Sequence, residues 1–521
     1  MSRIFARRRL LPVVLIFALL PCGAQETKPD AQGAVTLHVS SRLVVMDVTV
    51  TDKAGQLRND LKQTDFQISE DGVPQTILHF EPPSTHTPPA GNVIGSTAEL
   101  EKQAPQAPVA VVVLDELNTK FEDMAYARYA LKKYLNAQPA SLQAPTMLIA
   151  VSRERLQVVK DYTQDRAAIL AALDHHLTAY PWHLESGVSA LRQMAQSLGA
   201  LEQVAEATAG HPGHKNLLWV GHGFPSIDLS NPNLDSNLSA GITTAVQHAV
   251  NMLRDSRMTL YTIDPTALSS QVSVRISDST PNGEVNGGVG PDPFAAGVQF
   301  TSLAAATGGK AFYSRNDVDA EIGESARDGV NYYTITYRPT SSSDAARPYR
   351  SIRVNVTQPG LRAGYREGYY TRDDARPVVS ANRSAYDVDA AAESMMVYTG
   401  LTVSAIANPA KPNQYFVGVP QNEVHWVTDG DHQAAKLTLI AVAVDPRGKI
   451  LQRITHDLTA IRKMDDGKPV ETSGLVRLAI DVPKLDGEVR VRFIVRGTAD
   501  GRIGTADLRL PGAPPDAKPK R

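Results

Sequence analysis

Residues 109–119 read VAVVVLDELNT, a run of six apolar side chains that ends in a polar loop. An apolar run of this length is typical of a parallel strand that is buried on both faces of a sheet. A helix is predicted over residues 121–136, where Met124, Ala127 and Leu131 recur on one face. The segment therefore predicts the start of an α/β domain.

The alternation of strands and helices continues to about residue 330. Further strands are predicted over residues 146–151, 216–220, 259–263 and 311–314, and further helices over 165–177, 189–208, 241–257 and 319–328. Strands that alternate with helices form mostly parallel sheets with helices on both faces. Residues 108–330 are therefore predicted to form a doubly wound α/β domain.

Strand-like alternation of apolar and polar residues flanks this domain on both sides. The strands before it, over 35–81, and those after it, over 331–372, are each too few for a separate sheet domain. We therefore expect them to pair into one β-sandwich in which the α/β domain is inserted. The remaining assignments are linkers at 82–107 and 373–390, a second β-sandwich at 391–510 and a disordered tail at 511–521.

The first residues predict export. Several arginines precede an apolar run over 10–20, and Cys22-Gly23-Ala24 offers small residues before a cut at Gln25. The run is shorter than the roughly 20 residues that a membrane span needs, so residues 1–24 are interpreted as a cleaved signal peptide. The alternative is an uncleaved anchor. A periplasmic, cell-surface or secreted location is expected, with no membrane span after cleavage.

Charge and cysteine content exclude two kinds of chemistry. The chain has 53 basic and 55 acidic side chains, a formal net charge of -2, so no basic excess favours nucleic acid as a partner. Its single cysteine is Cys22, which lies within the predicted leader. The mature chain would therefore carry neither a catalytic thiol nor a thiolate metal site.

Polar residues that follow the predicted strands are the candidate binding residues, since ligands of doubly wound sheets lie outside the carboxyl ends of the strands. Asp115 and Thr119 follow the first strand, His222 follows the strand at 216–220, and Asp264 follows the strand at 259–263. Ser189, at the start of a predicted helix, is a looser candidate.

Several spaced motifs resemble the von Willebrand factor A domain, and more closely the VWFA-related proteins typical of Acidobacteria. The resemblance covers roughly residues 35–372 and does not reach the C-terminal region. The matching segments are VTVTD at 48–52, DFQISEDG at 65–72, LDELNT at 114–119, GHKNL at 213–217, TGG at 307–309 and YYTITYRP at 332–339. The resemblance implies a vWA-like, Rossmann-like fold that acts in protein recognition or adhesion.

The same resemblance implies a metal-ion-dependent adhesion site for Mg²⁺, built on Asp-x-Ser-x-Ser and a later Thr and Asp. Asp115 matches the first Asp, and Thr119 replaces the second Ser. Leu117 stands where the first Ser belongs and has no oxygen, while His222 stands where the later Asp belongs and is a poor Mg²⁺ ligand.

The site is therefore expected to be degraded. Asp115 is interpreted first as a cap of the following helix. A Mg²⁺ ion on Asp115 and Thr119 remains the alternative. Glu116 or Asn118 could then reach inward, or Ser186 or Ser189 could supply the missing hydroxyl.

Three functional hypotheses remain open. The first, which expects no enzyme, is recognition of another protein or an envelope component through the strand-end loops. The second is a periplasmic hydrolase that uses Asp115, His222 and Asp264, although GxSxG, HExxH and P-loop motifs do not occur. The third is a purely structural envelope protein.

A zinc site on His175, His176 and His183, or on His211 and His214, is not expected, since adjacent helical positions point apart.

Overall fold

The computed structural model describes residues 43–86, 93–152, 156–178, 190–231, 235–266, 294, 297–313, 317–340, 349–371, 388–392, 396–445, 449–465, 468–469, 474–484 and 489–510. The predicted leader at 1–24 and the predicted tail at 511–521 lie outside these residues. Among the residues that are described, no helix combines the length and the apolar character that crossing a membrane requires.

The helices and strands are numbered in chain order. The helices are α1 Thr97–Gln103, α2 Phe121–Asn136, α3 Arg166–His175, α4 Ala190–Ala207, α5 Ser236–Asp255, α6 Phe300–Thr307 and α7 Val318–Asp328. The strands up to residue 370 are β1 Val44–Thr51, β2 Phe66–Glu70, β3 Val73–Gln75, β4 Ile77–Glu81, β5 Val109–Asp115, β6 Ser141–Val151, β7 Leu156–Asp165, β8 Lys215–Val220, β9 Ile227–Asp228, β10 Met258–Ile263, β11 Gly297–Val298, β12 Ala311–Phe312, β13 Tyr333–Tyr337, β14 Tyr349–Val356, β15 Arg362–Gly364 and β16 Gly368–Tyr370. The later strands are β17 Ser404–Ala407, β18 Gln414–Pro420, β19 Val427–Asp429, β20 His432–Val444, β21 Ile450–Asp465, β22 Lys468–Pro469, β23 Leu475–Asp481, β24 Val489–Gly497 and β25 Ile503–Leu510.

A six-stranded sheet in the order β12-β10-β8-β5-β6-β7 forms the centre of the molecule. Its strands run parallel except β7, which is antiparallel to β6. The register places Val113 of β5 opposite Trp219 of β8 and Ile149 of β6. Because β5, β8 and β10 run parallel in register, the loops that follow them meet at one edge of the sheet.

Helices cover both faces of this sheet. Every residue of β5 is buried, and its side chains alternate between two cores, as a strand covered on both sides requires. Val109, Val111 and Val113 pack with α4, α5 and α6 on one face. Val112 and Leu114 pack with α2, α3 and α7 on the other.

The strands before and after the central section pair with each other. β1 lies between β13 and β15, with Val48 opposite Tyr333, and β14 pairs with β2 and β16. Apolar side chains of both four-stranded sheets share one core, which includes Met46, Phe66, Ile335 and Ile352. Two sheets packed face to face in this way enclose a core between them.

The C-terminal region is built from long antiparallel strands. β20 and β24 are the centre of the sheet β22-β21-β20-β24-β25, which shares a core with the sheet β17-β18-β23. The opposite face of the larger sheet contributes Ile440, Val442 and Ile494 to the core of the central section. Thr399 fixes this contact, because its backbone N–H and its hydroxyl both donate to the carbonyl of Ala207 at the end of α4.

The fold class predicted from the sequence is wrong for the chain as a whole. The described part of the chain is mostly β, with 42% of its residues in strands against 27% in helices. The prediction rested mainly on the apolar run of β5. The antiparallel strands outside the central sheet, such as β20 and β21, contain more residues than the strands of that sheet. The predicted linker at 82–107 also needs correction, since it contains α1, whose Leu100 is buried in the central core.

The contact between α4 and the C-terminal region predicts the effect of two glycine substitutions. A Cβ on Gly210 would lie 1.6 Å from the carbonyl oxygen of Thr399, whereas a Cβ on Gly241, in α5, meets nothing within 4 Å. Gly210→Ala should therefore lower the free energy of unfolding by about 2 kcal/mol or more. Gly241→Ala should raise it by about 0.5–1 kcal/mol, because alanine favours the helix. Urea denaturation measures both, and equal effects would contradict the close approach of Gly210 to Thr399.

Candidate functional site

Asp115 ends β5 at the edge where the strand-end loops meet, and its carboxylate is completely buried. Oδ1 accepts hydrogen bonds from the backbone N–H groups of Leu117 and Asn118, at 3.2 and 3.0 Å. Oδ2 accepts from the Trp219 indole at 3.0 Å and from the Gly223 backbone N–H at 2.9 Å. The side-chain amide of Asn118 donates to both oxygens. Asp115 therefore ties its own loop to the loop that follows β8.

Every hydrogen-bond partner of this carboxylate in the described residues is an N–H donor. Burial raises the pKa of Asp115, and the hydrogen bonds from Trp219, Asn118 and Gly223 act in the opposite direction. The donors saturate the carboxylate without any cation. The loop is held by a buried acceptor surrounded by donors, so the role of Asp115 here is to position the loop.

The turn after β8 fits against this loop only because it contains glycines. Gly221 has φ +148°, and a Cβ there would lie 2.4 Å from the Cβ of Asp115. Gly223 has φ +68°, and a Cβ there would meet the ring of Phe300 at 2.2 Å. Between them, the His222 backbone N–H donates to the Thr119 hydroxyl at 3.1 Å.

The residues at this edge do not fit an adhesion-site Mg²⁺. The ion needs several oxygen ligands, yet both Asp115 oxygens face N–H donors and the Leu117 side chain is buried in the apolar core. Ser186 and Ser189 lie outside the described residues. Within the described ranges, no group of three or more His, Cys, Asp or Glu side chains is arranged to hold a metal ion.

His222 lies at the surface of the same edge, between two carboxylates. Its Nε2 is 3.1 Å from Oδ2 of Asp123, in the first turn of α2, and its Nδ1 is 3.5 Å from Oδ1 of Asp264. The three side chains are about a quarter to a third exposed, at 26%, 24% and 31%. The structure therefore brings His222 and Asp264 together, adds Asp123, and leaves Asp115 buried beneath them with a different set of partners.

A hydroxyl beside this histidine invites comparison with a hydrolytic triad. The Thr266 hydroxyl lies 3.2 Å from Nδ1 and 3.3 Å from Nε2 of His222, so it is in line with neither nitrogen lone pair. It is also 2.7 Å from Oδ1 of Asp264, to which it donates. In this structure the Thr266 hydroxyl therefore donates to Asp264 and is not aligned with His222.

A shallow groove lies on the exposed side of α2, next to the strand-end edge. It has a volume of about 250 Å³ and is lined by Phe121, Ala125, Arg128, Tyr129, Lys132 and Thr178. Phe121 is 52% exposed and Tyr129 64% exposed, which is unusual for aromatic side chains. Arg128 donates to the carbonyls of Leu173 and His176 and to the Thr178 hydroxyl, and Lys132 pairs with Asp174, so the polar rim is held in place.

The histidines considered for a zinc site are held apart by other contacts where the structure describes them. His176 pairs with Glu116 in a buried contact of 2.7 Å, His175 ends α3, and His183 lies outside the described residues. His214 pairs with Asp47 of β1 at 2.8 Å, and Arg257 binds the other oxygen of that carboxylate. These contacts join the N-terminal strands to the central section, at the opposite end of β8 from His222.

His211 is buried beside this network. It is 5% exposed, and its Nε2 lies 2.8 Å from the carbonyl of Ala107. Burial, together with the nearby Lys215, lowers the pKa of His211 to about 4. The neutral imidazole is therefore the form that the folded chain stabilises.

Sequence reasoning missed Asp123, Trp219 and the groove. An acidic residue in the first turn of a helix is a common feature, so Asp123 carried no distinctive signal. The register places Trp219 opposite Val113, which lies two residues before Asp115 on the same face of β5. The Trp219 indole therefore reaches Asp115. The spacing of Phe121, Ala125 and Tyr129 on one helix face was the available signal for the groove.

Comparisons with known proteins add no functional assignment. No protein family model and no curated protein matches the chain. Among solved structures, the chicken interferon gamma receptor alpha chain is 9% identical with a TM-score of 0.15, over 32% of this chain and 65% of that one. A calcium-binding mutant of Bacteroides uniformis beta-glucuronidase 2 is 11% identical with a TM-score of 0.12, over 35% of this chain and 19% of that one. The chain spans less than two thirds of either protein.

The donor shell of Asp115 predicts that this residue acts through stability and without Mg²⁺. Asp115→Asn places an amide among N–H donors and should lower the free energy of unfolding by about 3 kcal/mol. Millimolar Mg²⁺ should leave the Tm of the wild type unchanged, since the carboxylate is already saturated. Calorimetry with and without Mg²⁺ measures both effects. A Tm that Mg²⁺ raises in the wild type and not in Asp115→Asn would restore the adhesion site.

His211 predicts a loss of stability in mild acid. Its folded pKa, about 4, lies below its ordinary value of 6.5, so the unfolded chain binds more protons between these values. The free energy of unfolding should therefore fall from pH 6.5 to pH 4, by about 2–4 kcal/mol from this residue. His211→Gln, which keeps a donor for Ala107, should show a smaller fall over the same window in denaturation curves. The same pH slope in both proteins would contradict the assignment.

Proposed function

We propose that the chain is an exported recognition protein that binds another protein or an envelope component through the strand-end edge and the adjoining groove of α2. The observation that carries this proposal is the exposure of Phe121 and Tyr129 in a groove whose rim is fixed. Exposed aromatic side chains beside an arginine are characteristic of the residues that contribute most binding energy in protein interfaces.

The proposed partner has two chemical features. An apolar side chain would fill the groove between Phe121 and Tyr129 and remove both rings from water. A cationic side chain would approach the carboxylates of Asp123 and Asp264, which flank the single imidazole of His222. Arginine suits this place, because its guanidinium binds carboxylates in a bidentate manner.

The Asp115 contacts support this proposal by holding the binding surface rigid. The loop that leads into α2 and the turn that carries His222 are both bonded to the one buried carboxylate. A surface that is ordered before binding loses little conformational entropy when a partner arrives.

Alanine substitutions in the groove test the proposal. Phe121→Ala and Tyr129→Ala should each weaken partner binding by about tenfold or more, since each removes an aromatic anchor. The partner is first isolated from envelope extract on the immobilised chain. Its affinity for each variant is then measured with purified components by calorimetry. Ile406→Ala is the matched control, because Ile406 is 62% exposed but lies in β17.

Two results would overturn the proposal. Binding that both groove variants retain at wild-type affinity would show that the groove is not the recognition surface. Turnover of a substrate that His222→Ala abolishes would favour the hydrolase hypothesis in its place.

A further inference from the structure

The C-terminal sheet has a long free edge. β21 spans 16 residues and pairs with β20 along residues 450–463, with a β-bulge at Leu451, because Gln452 pairs with Ala443 and Ile450 with Val444. On its other side it pairs with β22, and only at Met464 and Asp465. In the described part of the chain, no other strand pairs with that side. Residues 452–463 thus leave a regular edge about 40 Å long, along which alternate residues direct unpaired N–H and C=O groups outward.

Apolar side chains of β21 lie along the same free edge. Leu451 is 44% exposed and Ile461 65% exposed, on the face opposite the C-terminal core. Ile454 and Leu458 lie on the other face, where they are only partly buried against that core. A long edge of this kind, with apolar side chains on both faces, favours pairing with another strand.

The sequence of β21 is close to self-complementary about His456. Ile454 and Leu458 lie two residues from it on either side, and Leu451 and Ile461 lie five residues from it. In an antiparallel pair of two such strands centred on His456, Ile454 of one copy faces Leu458 of the other, and Leu451 faces Ile461. Apolar side chains then meet on both faces of the sheet.

We infer that two copies of this chain associate through β21, antiparallel and in register at His456, to form one continuous sheet across a two-fold axis. Such an interface is isologous, so each apolar pair occurs twice. The inference concerns the C-terminal sheet and does not depend on the proposed recognition surface.

The length of the free edge and its charges fit this arrangement. The register centred on His456 pairs residues 452–460 along the regular edge, brings Leu451 at the bulge beside Ile461, and stops before the β22 hairpin closes the edge. The exposed Arg453 of one copy lies diagonally across from Asp457 of the other, within reach of its long side chain. Arg453 pairs with Asp389 in its own copy through Nη1, which leaves other N–H groups of the guanidinium for the second carboxylate.

A cysteine at the two-fold axis tests the register. The test uses the full chain with Cys22→Ala, which removes its only native cysteine. His456→Cys should form a disulfide-linked dimer on mild oxidation, because the two residues at this position face each other directly. Thr459→Cys is the matched control, since in this register its two copies lie about 20 Å apart. Non-reducing electrophoresis separates the outcomes, and cross-linking of Thr459→Cys as readily as His456→Cys would overturn the register.

Sedimentation measures the association itself. The wild type should sediment as a dimer, and Leu451→Lys with Ile461→Lys should raise the dimer dissociation constant by about tenfold or more. Both side chains are exposed, so the double variant should keep the circular dichroism spectrum of the wild type. A wild type that remains monomeric at about 100 μM, or a double variant that dimerises equally well, would overturn the inference.

Discussion

The buried carboxylate of Asp115 is the constraint on which the strand-end edge depends. A carboxylate without water needs hydrogen-bond donors, and it obtains them from its own loop, from the Trp219 side chain and from the turn after β8. The hydrogen bonds that Asp115 accepts therefore fix the conformation of two loops, its own and the turn after β8. It also explains the glycines at 221 and 223, because only a backbone without Cβ atoms can pass between Asp115 and Phe300. His222 and Asp123 are partly exposed at this edge. His222 lies on the turn that the buried carboxylate holds in place, and Asp123 lies in α2, directly after the other loop.

The three parts of the described chain are joined by different kinds of contact. The N-terminal and returning strands meet the central section through polar contacts, in which Asp47 accepts from His214 and Arg257, and through the buried rings of Tyr349 and Tyr370. Although burial raises the pKa of Asp47, Arg257 and His214 together hold that pKa below its usual range. The C-terminal sheet instead meets the central section through apolar side chains such as Val442, with Thr399 as the polar contact. Acid should therefore weaken the first junction before the second.

The sequence could predict elements whose local pattern agrees with their surroundings. β5 and α2 lie where the apolar run and the helical spacing placed them, because burial on both faces and one-sided packing leave distinct patterns. β21 gave no such pattern. Its apolar residues Ile454, Leu458 and Ile461 recur at spacings of four and three, which imitate a helix, and only pairing with β20 makes the segment a strand. The overall class was wrong because strands of this kind hold much of the chain.

The candidate site, too, could be predicted from the sequence only in part. The positions of Asp115, Thr119, His222 and Asp264 at one edge follow from strand ends, which a sequence pattern can locate. Their partners depend on register and on side-chain direction across about a hundred residues, as the pairing of His222 with Asp123 shows. The sequence alone could show that Leu117 and His222 lack the oxygen ligands that an adhesion-site Mg²⁺ needs. The donors that surround the first Asp could not, because backbone N–H groups have no sequence signal of their own.

The hydrogen bond from the Trp219 indole to Asp115 also gives the strand-end edge an optical property. Trp219 is one of three tryptophans in the chain, and its ring is wholly buried against Phe300. Trp426, by contrast, is only partly buried and stacks on Arg462. An indole whose N–H faces a carboxylate in a dry interior emits differently from one that water can reach. The fluorescence of the native chain thus contains a component that reports, without any attached dye, whether the hydrogen bond between Trp219 and Asp115 is intact.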